Sequence, residues 1–346
     1  MNSARRFFVT LSIGLLHSNP ILGDGFSESI TQNEIHFTEF QTDELHQEPI
    51  ASPDGKLVAY IHVEDRDHGK RRLWVMDRDG GDARRLIGDP RPHQQAYPKW
   101  SPDNQYIAFS SNLGGETSIW IVHVEQGKVT KITDRHLGDV FFVNAAWSPD
   151  SRSLVANMTG AESDQLLEYP IAGGKPDTLL ETRDIVFPTW SPDGRQIVFC
   201  GSTHENGNLW TFSVSDKSVV PLDSRGIIGF YLSWSPNGEW LAFQADPGPH
   251  IYVMPAKGGQ PLQVTDRSLV SGARTVAWDY DGKSLLYSGH PRGSAGMQPH
   301  LAIVDTTGEN FQILANLSGE EGLSMITLWG QQPSWSPDER FIAFTS

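Results

Sequence analysis

The chain has 346 residues, 38% of them hydrophobic, and a net charge of −15 at pH 7. No basic stripe is present to hold a phosphate backbone, which argues against nucleic-acid binding. The 33 Gly, 22 Pro and 11 Trp suit many short strands joined by tight turns, and no long stretch carries apolar residues at helical spacing.

Arg5 and Arg6 precede an apolar stretch from Phe7 to Leu16. That stretch is too short to span a bilayer and fits the core of a secretory leader. Residues 1–23 therefore read as a signal peptide cut after Gly23, with an uncut anchor as the alternative. The expected mature protein is periplasmic or secreted, has no transmembrane segment, and forms a single domain over 24–346. The one cysteine, Cys200, lies in the strand-like run from Gln196 to Cys200. It excludes an internal disulfide and reads as a buried, inert thiol.

From Ala51 onward the chain repeats. Ala51-Ser52-Pro53-Asp54-Gly55 is followed by units starting at Trp100, Trp147, Trp190, Trp234, Trp278 and Trp335, at spacings of 49, 47, 43, 44, 44 and 57 residues. In each unit an aromatic ends one strand, and Ser-Pro-Asp-Gly makes a tight turn. Pro fixes φ, Asp bonds its own backbone, and Gly supplies the positive φ. A second apolar strand follows, such as Tyr106 to Phe109 or Trp240 to Phe243. The third strand includes Leu73–Met76, Ile119–Val122, Leu209–Phe212 and Ile251–Met254. A Gly-containing turn then leads to a short fourth strand, as in Arg85–Ile87, Lys131–Thr133 and Gln263–Thr265.

Four antiparallel strands per unit predict an all-β fold, a β-propeller of four-stranded blades. Seven motifs predict seven blades. The last unit holds only two strands before Ser346, so the N-terminal segment is expected to supply a third strand at Phe26–Ile30 and a fourth at Ile35–Phe40, which removes an open sheet edge. Six blades with a loose extension, or a truncated seventh, are the alternatives.

The repeat resembles the one shared by TolB and by the propellers of the prolyl oligopeptidase family, over roughly residues 45–346. The resemblance implies the fold more than a function. In TolB the channel mouth receives a partner lipoprotein, but TolB has six blades behind an α/β domain, and here about 27 residues lie between the expected cut and the first motif. No Gly-x-Ser-x-Gly elbow of a hydrolase is present.

Strand order sorts the loops onto two faces. The Ser-Pro-Asp-Gly and Gly-Gly turns share one face and are short. The other face carries the longer, variable connections, among them Leu317–Gln332, and is the expected binding face. There, Arg91, Arg135, Arg183, Arg225 and Arg267 recur just after the fourth strand. As a ring they would hold carboxylates of an acidic ligand or a protein partner; pairing with neighbouring acids such as Asp223 is the alternative reading. His46, His93 and His136 lie in equivalent loops of the first three units. A resemblance to oligogalacturonate lyases would imply a divalent metal such as Mn held by histidines, with acidic oligosaccharides as substrate. No family motif matches residue by residue, so no catalytic residue is carried over. The favoured reading is a non-enzymatic binding scaffold without a cofactor; the lyase-like enzyme is the alternative.

Overall fold

The computed structural model describes residues 5–11, 36–42, 45–65, 70–89, 94–133, 145–160, 162–245, 250–265, 270–291, 300–316, 333–336 and 342–345. Two strands, β1 (Arg5–Leu11) and β2 (His36–Thr42), precede the first repeat. Blade 1 comprises β3 (Leu45–Ala51), β4 (Leu57–Asp65), β5 (Lys70–Asp77) and β6 (Arg84–Arg85). Blade 2 comprises β7 (Gln95–Trp100), β8 (Tyr106–Ser111), β9 (Ser118–His123) and β10 (Val129–Lys131). Blade 3 holds β11 (Ala145–Trp147), β12 (Ser153–Met158), β13 (Asp164–Pro170) and β14 (Asp177–Thr182). Blade 4 holds β15 (Val186–Trp190), β16 (Gln196–His204), β17 (Gly207–Ser213) and β18 (Val219–Pro221). Blade 5 holds β19 (Gly229–Trp234), β20 (Trp240–Ala245), β21 (His250–Pro255) and β22 (Leu262–Gln263). Blade 6 holds β23 (Val270–Trp278), β24 (Ser284–Pro291), β25 (His300–Asp305) and β26 (Gln312–Asn316). The last strands are β27 (Ser334–Trp335) and β28 (Ile342–Thr345).

Six blades thus consist of four consecutive antiparallel strands, the count given as the alternative above. The expectation of a seventh blade is corrected. The last motif enters a composite sheet, ordered β2-β1-β28-β27, drawn from both ends of the chain. Its third strand is β1, which lies inside the segment read as a leader and pairs Phe7–Val9 with Ala343–Thr345. Phe26–Ile30, expected in that place, lie outside the described residues. The expected fourth strand at Ile35–Phe40 is found one to two residues later, at β2.

The first strands meet in the order β3, β7, β11, β15, β19, β23, β27 and back to β3. The hydrophobic core lies between neighbouring sheets rather than at one centre. Blades 1 and 2 bury Ile61, Leu73, Trp100, Ile107 and Phe109 together. Blades 4 and 5 bury Cys200, Leu209, Phe243 and Met254, and the composite sheet packs Ala343 on Val58 and Tyr60 of blade 1. Each such side chain contributes about 1.5–3 kcal/mol on burial. Because second strands are covered on both faces, five of the six β8 residues are buried, where a half-exposed strand would alternate.

Three features of the motif hold the ring. First, the serine closes its own turn. Ser101 Oγ donates to Asp103 Oδ1 at 2.6 Å and accepts from the Tyr106 N–H at 2.9 Å. The same pair recurs at Ser52, Ser148, Ser191 and, with Asn237, at Ser235. Second, the fourth turn residue is left-handed whether or not it is glycine: Gly55 at φ 68°, Asn104 at 65°, Ser151 at 61°. The side chain that replaces glycine reaches the preceding blade, since Asn104 Oδ1 accepts from the Asp54 N–H at 2.9 Å and Ser151 Oγ from the Asp103 N–H at 3.0 Å. Third, the tryptophan pins neighbouring blades. Trp100, Trp147 and Trp278 donate their indole N–H to the carbonyls of Ile50, Lys99 and Ser233, at 3.0, 2.9 and 3.3 Å.

The fourth strands end earlier than the sequence predicts. Thr133 and Thr265 leave the ladder, yet both are buried and their hydroxyls accept from the Ile119 and Ile251 N–H groups at 3.1 Å. A side-chain acceptor thus replaces a ladder carbonyl, which satisfies a buried donor without extending the strand.

Candidate channel-mouth site

Each first strand begins at the variable-loop face and ends at the short-turn face, because the motif turn follows it. Near its variable-loop end the strand is interrupted. Register shifts occur between Gln47 and Ile50, Ala96 and Lys99, Val186 and Thr189, Phe230 and Ser233, and Arg274 and Val276. These are β-bulges, which bend a strand and re-aim a side chain. Proline, which cannot donate to a ladder, sits in three of them as Pro49, Pro98 and Pro188.

The residue that each bulge turns lies three positions before the first motif residue, Ala51 in blade 1 and a tryptophan in the others. In four blades it has a positive φ without being glycine: Glu48 at 54°, Tyr97 at 55°, Phe187 at 54° and Tyr231 at 55°. For bulky side chains this conformation costs about 1–2 kcal/mol per residue, and such strain concentrates at sites that use it.

The four residues form two contacting pairs. The Tyr97 N–H donates a short hydrogen bond to Glu48 Oε2, which joins blades 1 and 2. The rings of Phe187 and Tyr231, from blades 4 and 5, lie 4.3 Å apart. The Tyr97 phenol feels the charges of both Glu48 and Tyr231. Blades 2 and 5 are not neighbours in the ring.

Electrostatics single out Glu48. It is 5% exposed, and burial raises its carboxyl to about 7, against partial relief from the Tyr97 hydrogen bond and the charge of Arg71. Burial and the nearby carboxylate also raise the Tyr97 phenol. Two residues farther along β7, burial holds the Lys99 ammonium below the usual lysine range. A carboxyl poised near neutrality can exchange a proton.

The residues singled out from sequence are placed less compactly. Arg183 is exposed on the loop before β15. Arg225 is exposed and pairs with Asp223 at 3.4 Å. Arg91, Arg135 and Arg267 lie outside the described residues, as do His93, His136 and Leu317–Gln332. His46 stands in strand β3 opposite His62 rather than in a loop. Among the described residues no group of three His, Cys, Asp or Glu is placed to hold a metal ion, and no helix is long and apolar enough to cross a membrane. Sequence reasoning missed Glu48, Tyr97, Phe187 and Tyr231. Aligning the units on their aromatic would have found them, since the prolines mark the bulges and the preceding residue is the one displaced.

The family model of the TolB beta propeller domain matches residues 31–225 and 183–346. An uncharacterized peptidase of Bacillus subtilis is 24% identical over 220 residues, 60% of this chain and 32% of that protein. The chain thus spans about a third of that relative's length. The Tol-Pal system protein TolB of Francisella tularensis is 25% identical over 297 residues, 81% of this chain and 63% of that protein. Among solved structures, TolB of Acinetobacter baumannii has a TM-score of 0.58 at 17% identity, covering 78% of this chain and 66% of its own. An oligogalacturonate lyase of Vibrio parahaemolyticus has a TM-score of 0.68 at 16% identity, covering 87% and 91%. At these identities the structures speak for the fold alone. On the family match, the chain belongs to the TolB β-propeller family.

Proposed function

We propose that this TolB-like propeller is an exported, non-enzymatic scaffold that receives a protein partner at the variable-loop end of its channel. The observation that carries the reading is the row of bulged first strands, which hold Glu48, Tyr97, Phe187 and Tyr231 in a left-handed conformation near the variable-loop end. Left-handed non-glycine residues occur at the opposite end too, at Asn104 and Ser151, but there each sits in a short turn. Bulky residues held in a strained conformation outside any tight turn support recognition at that mouth.

Affinity capture from an envelope extract tests the reading. Wild type and an Arg195→Glu variant on the short-turn face should retain one specific partner that Tyr231→Ala loses. Equal retention by all three would overturn the reading. Stoichiometric bound transition metal in the purified protein would instead favour a lyase-like enzyme.

Export makes one demand of its own. A leader cut after Gly23 removes β1 from the composite sheet, so the intact mass of the exported protein should correspond to a chain beginning at Asp24. A mass that retains residues 5–11 would refute export by cleavage.

A further inference from the structure

The seams between blades are not all closed alike. Between blades 1 and 2, and between blades 2 and 3, two links are made. Trp100 and Trp147 donate to carbonyls of the preceding blade, and Asn104 and Ser151 accept from the Asp54 and Asp103 N–H groups. Between blades 5 and 6, Trp278 donates to the Ser233 carbonyl and Asn237 Nδ2 donates to the Asp281 carbonyl at 3.1 Å. Around blade 4 neither link is made among the described residues. The indole N–H groups of Trp190 and Trp234 are buried without a partner. The turn residues that would reach back are Gly194 and Gly238, which have no side chain. The Trp335 indole, between blade 6 and the composite sheet, is also without a partner, and the turn after it lies outside the described residues.

Blade 4 is tied elsewhere. At the variable-loop end the Ile185 N–H donates to Asp164 Oδ2 of blade 3 at 3.1 Å, and Asn208 exchanges two hydrogen bonds with Gly229 of blade 5, at 2.9 and 3.1 Å. At the rim the Gly259 N–H donates to the Asp223 carbonyl at 2.8 Å. Toward the channel and the short turns, apolar packing holds the blade, through Val155, Trp190 and Ile197 on one side and Val198, Leu241 and Trp234 on the other. The first strand beyond it is less covered than its counterparts: β19 is partly exposed at every position after Gly229, whereas β7 buries four of its six residues.

We propose that blade 4 is the moving unit of the ring. Its inner, short-turn corner opens away from blades 3 and 5, the ties at the variable-loop end and rim act as the hinge, and blades 1 to 3, and 5 with 6, stay joined. Sub-global opening draws on the least-tied elements of a fold, and hinges lie where the remaining bonds persist. Phe187 and Tyr231 lie near the hinge end, so the motion leaves the mouth assembled. Cys200 donates to the Gly229 carbonyl beside the same hinge and stays covered. The missing turn links can be installed. A Cβ at Gly194 or Gly238 meets nothing nearer than Pro149 at 3.8 Å or Pro192 at 3.9 Å. Their φ values of 70° and 74° match the 65° of Asn104, a conformation that asparagine tolerates.

The test uses the full chain with Cys200→Ala and one thiol per protein at the third residue of a second strand, all four positions being buried. Val155→Cys reports on the seam of blades 3 and 4, Val198→Cys on 4 and 5, Ala108→Cys on 2 and 3, and Ala242→Cys on 5 and 6. With a thiol reagent at pH 8 and no denaturant, positions 155 and 198 should react at least about tenfold faster than 108 and 242. Gly194→Asn should slow the reaction at 155 about fivefold, and Gly238→Asn that at 198, the worth of one hydrogen bond. If a cysteine variant fails to fold, amide exchange of the unsubstituted chain makes the same comparison. The Ile197 and Val198 amides should exchange at least about tenfold faster than those of Ile107 and Ala108. Equal rates at all four seams, faster reaction at 108 or 242, or rates that ignore both asparagines would overturn the proposal.

Discussion

Replacing Glu48 by glutamine should change how stability depends on pH. The folded carboxyl titrates at about 7, against 4.5 for the free group. The folded state therefore binds the proton more tightly than the unfolded chain. The stabilising contribution is complete below pH 4.5 and is lost as pH rises through 7. Linkage over that interval gives about 2.5 kcal/mol lost between pH 5 and pH 8 in the wild type. Glutamine has no proton to lose and keeps an oxygen for the Tyr97 N–H, so the variant lacks this slope. Thermal melts of both proteins at pH 5, 6, 7 and 8 measure it. The melting temperature of the variant minus that of the wild type should rise by roughly 3–4 °C from pH 5 to pH 8, on the usual scaling of stability with melting temperature. Parallel profiles, or a difference that falls with pH, would show that ionised Glu48 is the stabilising form and refute the reasoning.

Other perturbations test the ring itself. Trp100→Phe deletes a donor satisfied by the Ile50 carbonyl, whereas the Trp190 indole N–H is buried without a partner. Urea melts should show Trp100→Phe costing about 1 kcal/mol more than Trp190→Phe, and equal costs would remove the pinning role. Ser101→Ala strips the turn of both a donor and an acceptor and should destabilise by about 1–3 kcal/mol in the same assay. The Cys200 thiol is buried, is pushed well up by that burial, and donates to the Gly229 carbonyl at 3.2 Å. It should resist a thiol reagent at pH 8 until the protein is denatured, and rapid labelling of the native protein would contradict that placement.

The blades were legible because their determinants are local. Ser-Pro-Asp-Gly fixes a turn through its own φ preferences and side chains, and the apolar runs at Leu73–Met76 and Ile251–Met254 lie within strands β5 and β21. What escaped was set by distance in sequence. The partner of the β28 strand depends on which distant segment reaches it, and periodicity does not distinguish Arg5–Leu11 from Phe26–Ile30. The early ends of the fourth strands depend on Thr133 and Thr265 finding donors in the neighbouring strand. The channel-mouth cluster was hidden for the same reason. Phe187 and Tyr231 are 44 residues apart, and nothing local says that bulges in blades 4 and 5 bring their rings together. Arginine and histidine stand out by recurrence and chemistry, and most of them lie outside the described residues. Proline in a first strand was the available sign.

The central claim is that the partner docks on the variable-loop mouth. A photoreactive benzoylphenylalanine placed at Ile228, exposed just before β19, or at Ser215, exposed on the short-turn face, measures this directly in cells that make the protein. A crosslinked polypeptide is expected from position 228 that disappears in the Tyr231→Ala background, and none from position 215. The same crosslink from both positions, or one at 228 that ignores Tyr231, would contradict the claim.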